Sequence, residues 1–537
     1  MKTNFDFIIV GGGTAGLIVA TRLVETGKYS VLLVEAGDIR SSPYLRIPLA
    51  VGKVLSNEKY VWPYTSGPEP YLKNRRLYTP MGKLLGGSSA VNGTVFAWGP
   101  KEKYDEWESL GCKGFAWKDV EPYFHAIENF CEPSNLRGSH GPIHISNANI
   151  SDKLSQLFLE SSKTAGYPFI KDYNTDSSEG VSALQYSTKN GLRQSTNNTY
   201  FKLAKRNKNF HVITGATVEQ LQFIGTRVTG CKIHNKYGKK QIVTANCEMV
   251  ICCGAIQTPA LLQRSGIGDQ SHLRKLGLQH IIHLPNVGVG LQDHANTRLT
   301  YKVGSVKTLN DYLNNPLLFA KYFLSYAIKR QNLLATPSAT AHLLLKSETK
   351  IAYPDLKLQL VHMSESQRFG MGKQTSLDRT SGFSIGTYYL YPKSAGTVKI
   401  KSVDPKISPS IIVNYLADDV DRRKSVLALN LARKVVSESP LKEFVQMETN
   451  PTLTKVSDQE LLDYVLENCQ SGYHYACSCR MGSGKSAVVD DKFKVIGLEN
   501  LRLCDASVMP FLTSSNTQAV VMMMGEKAAA EIIRQYN

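Results

Sequence analysis

Phe7-Ile8-Ile9-Val10-Gly11-Gly12-Gly13-Thr14-Ala15-Gly16-Leu17-Ile18-Val19-Ala20 joins a continuous apolar run to a glycine cluster and then to a second apolar segment. The run from Phe7 to Val10 has the β-branched character of a buried strand, and Leu17 to Val24 reads as a helix. Val31 to Val34 is another strand-like run, so the opening of the chain predicts a β-α-β unit. Gly11-x-Gly13-x-x-Gly16 stands directly after the first strand and directly before the helix. The first glycine permits a tight turn, the second lets the backbone approach a pyrophosphate, and the third allows close helix packing. The helix N-terminus, at Thr14 and Ala15, then offers unpaired N–H groups to phosphate oxygens. Glu35 follows Gly16 by 19 residues (35 minus 16), close to the ~20 at which an acid meets a ribose hydroxyl. A dinucleotide is therefore the expected ligand. No second complete copy occurs, because Asn286-Val287-Gly288-Val289-Gly290 lacks the third glycine.

Outward from this unit, Val212-Ile213, Val218 to Phe223, Val228 to Ile233 and Met249 to Cys252 read as a return to a sheet. A central region carries strand-like Lys357 to His362, Gly382 to Tyr391 and Gly396 to Ile400, with helical segments at Asn315 to Ile328 and Asp418 to Val436. Such a sheet suits the roof of a pocket. Ala519 to Gln535 is helical in spacing and follows a Ser/Thr/Asn cluster able to cap it. No linker or repeat divides the 537 residues, so interleaved domains are expected.

Lys plus Arg (63) exceed Asp plus Glu (45), for a formal charge of +18. The basic residues are dispersed, which predicts a solvated surface with no nucleic-acid partner. Ten cysteines are too dilute for a disulfide framework and have the wrong spacing for zinc, so no metal is expected. The first strand begins within a few residues of the N-terminus, leaving no room for a secretory leader, and no window reaches the length of a membrane span. A cytoplasmic protein without a membrane span is the expectation.

Gly82-Lys83-Leu84-Leu85-Gly86-Gly87-Ser88-Ser89-Ala90-Val91-Asn92-Gly93 resembles the flavin-contacting signature of the glucose-methanol-choline (GMC) oxidoreductases. Gly254-Ala255-Ile256-Gln257-Thr258-Pro259, Gly288-Val289-Gly290-Leu291-Gln292-Asp293-His294, Tyr473-His474 and Leu503-Cys504-Asp505-Ala506-Ser507 agree with it in order. The resemblance implies an α/β (α+β) protein: a Rossmann-type FAD-binding domain interleaved with a substrate domain built on an antiparallel sheet with helices. The implied regions are 1–297 for the N-terminal FAD-binding part, 298–393 for the central substrate part, and 394–537 for a C-terminal part that carries the active site and completes the FAD domain. It also implies contacts to FAD from Gly87, Ser88, Asn92, Val218, Asp505, Ala506, Thr517 and Gln518, beside Gly11, Gly13, Thr14, Ala15, Gly16 and Glu35. Small Gly-Gly-Ser-Ser residues let a backbone lie close to a flat ring. Some relatives tether the flavin through a histidine just after this loop; here the matching position is Val91, so FAD is expected to bind without a covalent bond.

Oxidation of an alcohol through a flavin removes a hydroxyl proton and a hydride, and a neutral imidazole suits the first task. By resemblance His474 is that base and Asn516 its partner, donating a hydrogen bond to the substrate oxygen. The expected activity is oxidation of a primary alcohol to the aldehyde, with oxygen or another acceptor reoxidising the flavin. Two alternatives stay open from sequence: a flavin-containing lyase of the hydroxynitrile lyase kind, and a non-catalytic flavoprotein. Cys477 and Cys479 read as packing thiols, and nothing in the spacing of His294 and His362 places either in the pocket.

Overall fold

The computed structural model describes residues 2–367, 376–452, 457–513 and 515–537. The expected β-α-β unit is present as β1 (Asn4–Val10), α1 (Thr14–Glu25) and β2 (Val31–Glu35). Phe7 to Val10 and all of β2 are buried on both faces, as a parallel strand covered by helices requires. A sheet of seven strands grows from this pair in the order Phe210–Thr214, β2, β1, Lys240–Ile251, Arg227–Asn235, Ala216–Ile224. The strand Lys240–Ile251 forks: its first half pairs antiparallel with Arg227–Asn235, and its last residues pair in parallel with Leu501–Leu503. Register aligns Val10 with Val34 and Ile251, Thr214 with Glu35, and Ile251 with Leu503. The carboxyl ends of five parallel strands therefore open on one edge, where α/β folds place ligands.

The helix Gln518–Tyr536 packs on α1. Their approach is so close that a Cβ on Gly525 would stand 3.2 Å from Ile18. A bridge from Arg22 to buried Glu526, 2.8 Å long and joined by the Tyr200 hydroxyl, ties the pair together. The expected cap of this helix is not made. Thr517 occupies the cap position without a side-chain hydrogen bond, and the side chain of Asn516 is engaged elsewhere.

A second, antiparallel sheet runs Val445–Asn450, Ala295–Val303, Gly382–Tyr389, Leu356–Val361, Ala339–Leu345, Gly180–Ala183. Its two faces differ because side chains alternate along each strand. Leu299, Ile385 and Leu360 point into an apolar core with the helix Asp419–Val436. The opposite face carries polar rungs: Asn296, Tyr388 and Lys357, then Arg298 and Gln359 on either side of Gly386. Gln470–Ser471 pairs with the start of Ala295–Val303, which brings the segment after Ser471 beside His294. Gly180–Ala183 comes from the first part of the chain and Leu501–Leu503 from the last, so the two sheets interleave. No helix among the described residues is long and apolar enough to cross a membrane.

Candidate active site

A cleft of about 740 Å³ runs between the two sheets. Each parallel strand delivers a wall of it just past its carboxyl end: Val10 and Gly11 after β1, Glu35 and Ala36 after β2, Ala216 to Val218, Cys252 to Gln257, and Asp505 with Ala506. Gly13, Thr14, Ala15, Gly87, Ser88, Asn92, Val218, Asp505, Ala506, Asn516, Thr517, Gln518 and His474 line the same cleft. Gly16 does not. A Cβ there would lie 2.0 Å from the Gly11 carbonyl oxygen, so its service is to let α1 start where it does.

The two glycine loops touch. Gly87, at φ +51, would place a Cβ 2.7 Å from the Cα of Gly13, and Gly11 is left-handed at φ +102. A Cβ on Gly13 would meet only ordinary contacts, Gly87 Cα at 3.8 Å and the Cys252 carbonyl oxygen at 3.9 Å. α1 has no side chain capping its first turn, so its N–H groups stay available to anionic oxygens. These features fit a pyrophosphate lying over the helix start and a large planar group beyond it. Gly87→Ala is expected to yield folded protein with most of its flavin lost, read as the visible absorbance per unit of protein; full flavin content in that variant would refute the fit.

Other expected contacts are already engaged with protein. Glu35 accepts from the Gly12 and Gly37 N–H groups, both at 2.8 Å, and burial pushes its carboxyl up to about 7. Each oxygen retains a lone pair for a hydroxyl. Asp505 accepts from Gly254 N–H (2.9 Å), Thr258 Oγ1 (2.6 Å) and Ser507 N–H (2.8 Å), bracing the turn at Gly254. Asn92 donates to Gln518 Oε1 (2.6 Å) and accepts from Arg193 Nη1 (2.7 Å). Val91 is buried and apolar at the cleft wall.

At the far end the hydrogen bonds fix a single tautomer. His294 Nε2 lies 2.8 Å from the carbonyl oxygen of Leu390. A carbonyl only accepts, so His294 Nε2 carries the proton and its Nδ1 holds a lone pair. His474 Nδ1, 3.1 Å from that lone pair, must then be protonated. His474 Nε2 is left as an acceptor, 3.0 Å from Asn516 Nδ2. Burial, then His294 and Lys357, hold the His474 imidazole well below its ordinary range, and burial takes His294 down to about 4. Both rings are neutral near pH 7.

Contacts to Asp293 anchor the His474 segment. His474 N–H donates to Asp293 Oδ1 (2.7 Å), while Ser471 Oγ (2.6 Å) and Tyr415 OH donate to Asp293 Oδ2. Burial pushes the Asp293 carboxyl up to about 6. Gly472 packs tightly against both histidines, since a Cβ would stand 3.0 Å from His474 Nδ1 and 3.1 Å from His294 Cβ. Asp293, His294 and His474 offer atoms within 4.8 Å of one another. Those atoms are committed to the hydrogen bonds just described, which suits a proton acceptor better than a metal site.

Asn516 is oriented from behind. Its Oδ1 accepts from Ser515 Oγ (2.9 Å) and Lys357 Nζ (3.3 Å), and Lys357 also donates to Ser515 Oγ (3.0 Å). With the oxygen so held, the amide nitrogen faces His474. Burial pushes the Lys357 ammonium down to about 7. Asp293, His294 and Lys357 are site residues that sequence reasoning left without a role. The signal for Lys357 was the alternation Leu356-Lys357-Leu358-Gln359-Leu360, which puts Lys357 and Gln359 on one face. His362 lies outside the cleft lining, bonded to Thr340 Oγ1 at 2.8 Å.

The GMC oxidoreductase family matches the chain over residues 5–296 and 392–525. An oxygen-dependent choline dehydrogenase from Vibrio vulnificus is 34% identical over 543 residues, covering 100% of this chain and 95% of the relative. One from Rhizobium johnstonii is 33% identical, covering 98% and 95%. Among solved structures, pyridoxine 4-oxidase from Mesorbium loti superposes with a TM-score of 0.88 at 26% identity, covering 99% of each chain. A formate oxidase superposes at 0.91 and 25% identity, covering 100% of this chain and 99% of the other.

Proposed function

The chain belongs to the GMC oxidoreductase family and is an FAD-dependent oxidoreductase acting on alcohol-type donors; from that premise we propose that it oxidises an uncharged primary alcohol to the aldehyde with His474 as the base. One observation carries this reading: the hydrogen-bond series from Leu390 through His294 leaves Nε2 of His474 unprotonated at the cleft, where it accepts from the Asn516 amide.

FAD, when bound along the glycine loops, supplies the hydride acceptor. The protein's own work is to position the alcohol and move one proton. The substrate hydroxyl displaces the hydrogen bond between Asn516 Nδ2 and His474 Nε2, gives its proton to the imidazole, and leaves an alkoxide oxygen that the released Asn516 amide stabilises. The new charge on His474 is then shared through its Nδ1–H with His294. A covalent link to FAD has no nucleophile at Val91 and is not expected. Ten free cysteines support a reducing, cytoplasmic setting.

The relatives named for choline act on a cation. Here Arg298 and Glu365 line the cleft 3.8 Å from one another, and Lys357 is buried behind Asn516. A carboxylate already turned to Arg298 is a poor counter-ion for a trimethylammonium group. Anaerobic mixing with a substrate panel is expected to bleach the visible flavin band faster with uncharged primary alcohols than with choline. Faster bleaching by choline would reverse the substrate assignment, and a band that no alcohol bleaches would point to lyase chemistry. Acid precipitation of the same preparation should leave the colour in solution.

A further inference from the structure

We propose that the helix Pro316–Lys329 seats the protein on an anionic lipid surface, with the mouth of the cleft turned toward the lipid. The helix, Pro-Leu-Leu-Phe-Ala-Lys-Tyr-Phe-Leu-Ser-Tyr-Ala-Ile-Lys, has a single buried residue, Tyr326. Leu317, Leu324 and Ile328 are 83%, 61% and 73% exposed. Their spacing, with Ala320 and Ala327 between, lays them on one stripe of the helix. An ordinary surface helix turns such a stripe inward; this one turns it to solvent. The adjoining stripe of Phe319 and Phe323 lines the cleft together with Leu313 and Leu334.

A neighbouring segment completes the face. Pro48–Ala50 packs against Leu333–Ala335, and Tyr44, Ile47, Leu49, Val51 and Lys53 line the cleft at the same mouth. Tyr44 is 49% exposed, with Lys53 Nζ 5.5 Å above its ring. Exposed Arg46 lies near enough to Tyr326 to act on its hydroxyl.

Charge selects the occupant. No Asp or Glu occurs between Tyr312 and Ser347, whereas Lys321, Lys329 and Arg330 do. Asp311 is folded back onto Thr308 and Ser381, and Glu58 is the acid on the neighbouring segment, beside Lys59. An apolar stripe rimmed by Arg46, Lys53, Lys321, Lys329 and Arg330 matches the way an amphipathic helix enters a headgroup layer, with lysine and arginine on anionic phosphates. A second copy would bring the same cationic rim against this one, which opposes self-association. Water-soluble alcohols do not require such a mouth; alcohols that partition into lipid would enter through it directly.

The test uses the holoenzyme and sedimentable vesicles of phosphatidylcholine alone or mixed with an equal part of phosphatidylglycerol. The wild-type protein is expected to sediment with the mixed vesicles at low salt, to bind phosphatidylcholine alone more weakly, and to be largely released by high salt. The triple variant Leu317→Ser, Leu324→Ser, Ile328→Ser is expected to lose at least roughly tenfold in vesicle partition, with flavin content and turnover of a water-soluble alcohol unchanged. Absence of wild-type binding to the mixed vesicles overturns the proposal, as does binding that the triple variant retains. So does a concentration-dependent dimer, seen by light scattering, that the triple variant abolishes.

Discussion

His474→Ala is expected to lower kcat for alcohol oxidation by about 10²- to 10⁴-fold, the range supplied by a positioned general base, while the protein keeps its flavin colour. The ring is partly open to the cleft, and the contact that holds its segment, His474 N–H to Asp293 Oδ1, is made by the backbone and survives the substitution. Single-turnover bleaching of the flavin under anaerobic conditions is the decisive readout, because it isolates substrate oxidation from reoxidation by oxygen. The pH dependence has a definite sign. His474 must be neutral to accept a proton, so the rate is lost as pH falls through its folded pKa, and that pKa is held well below 6.5. The acid limb of kcat/KM in the wild type is therefore expected below the range of a free imidazole. Bleaching by His474→Ala at the wild-type rate would remove the base from the mechanism.

Lys357→Met is expected to reduce kcat by roughly 10- to 100-fold, the loss of a charge-assisted hydrogen bond worth about 1.5–3 kcal/mol, without lowering Tm. The side chain is buried beside Tyr388, and the ammonium resists burial, so an isosteric apolar chain replaces it at little cost to the fold. What is lost is the hold on Asn516 Oδ1. A second readout separates positioning from bulk: Lys357 lowers the His474 pKa, so its removal moves the acid limb upward, toward 6.5. A variant with wild-type kcat and an unmoved limb would make Lys357 a bystander.

The nucleotide half of the molecule was legible from residues 7 to 35 because it is local: strand, glycine turn, helix and acid lie within one short stretch, and each has a reason independent of the rest. Glu35, Gly13 and the parallel pairing of β1 with β2 followed directly. His474 was singled out only through the order of motifs along the chain, since a histidine among 12 carries no mark of its place in the cleft. Its electrostatic partners were not legible at all. His294 reaches His474 across 180 residues, and Lys357 reaches Asn516 across 159; these contacts depend on the register of Ala295–Val303 against Gln470–Ser471 and of Leu356–Val361 against Gly382–Tyr389. A lysine in a strand is ordinarily assigned to solvent, and only the closed cleft turns that face inward. Thr517 shows the reverse error: a residue type suited to capping sits at a helix start and does not cap it.

The forked strand Lys240–Ile251 has a bearing on biosynthesis. Its last residues wait for Leu501–Leu503, so during translation roughly half the polypeptide emerges before that edge is covered. Until then an apolar run of unpaired backbone stands open to other nascent chains. Products of premature termination or proteolysis that lack the late strand are expected to aggregate, and coloured holoenzyme should appear only after release from the ribosome.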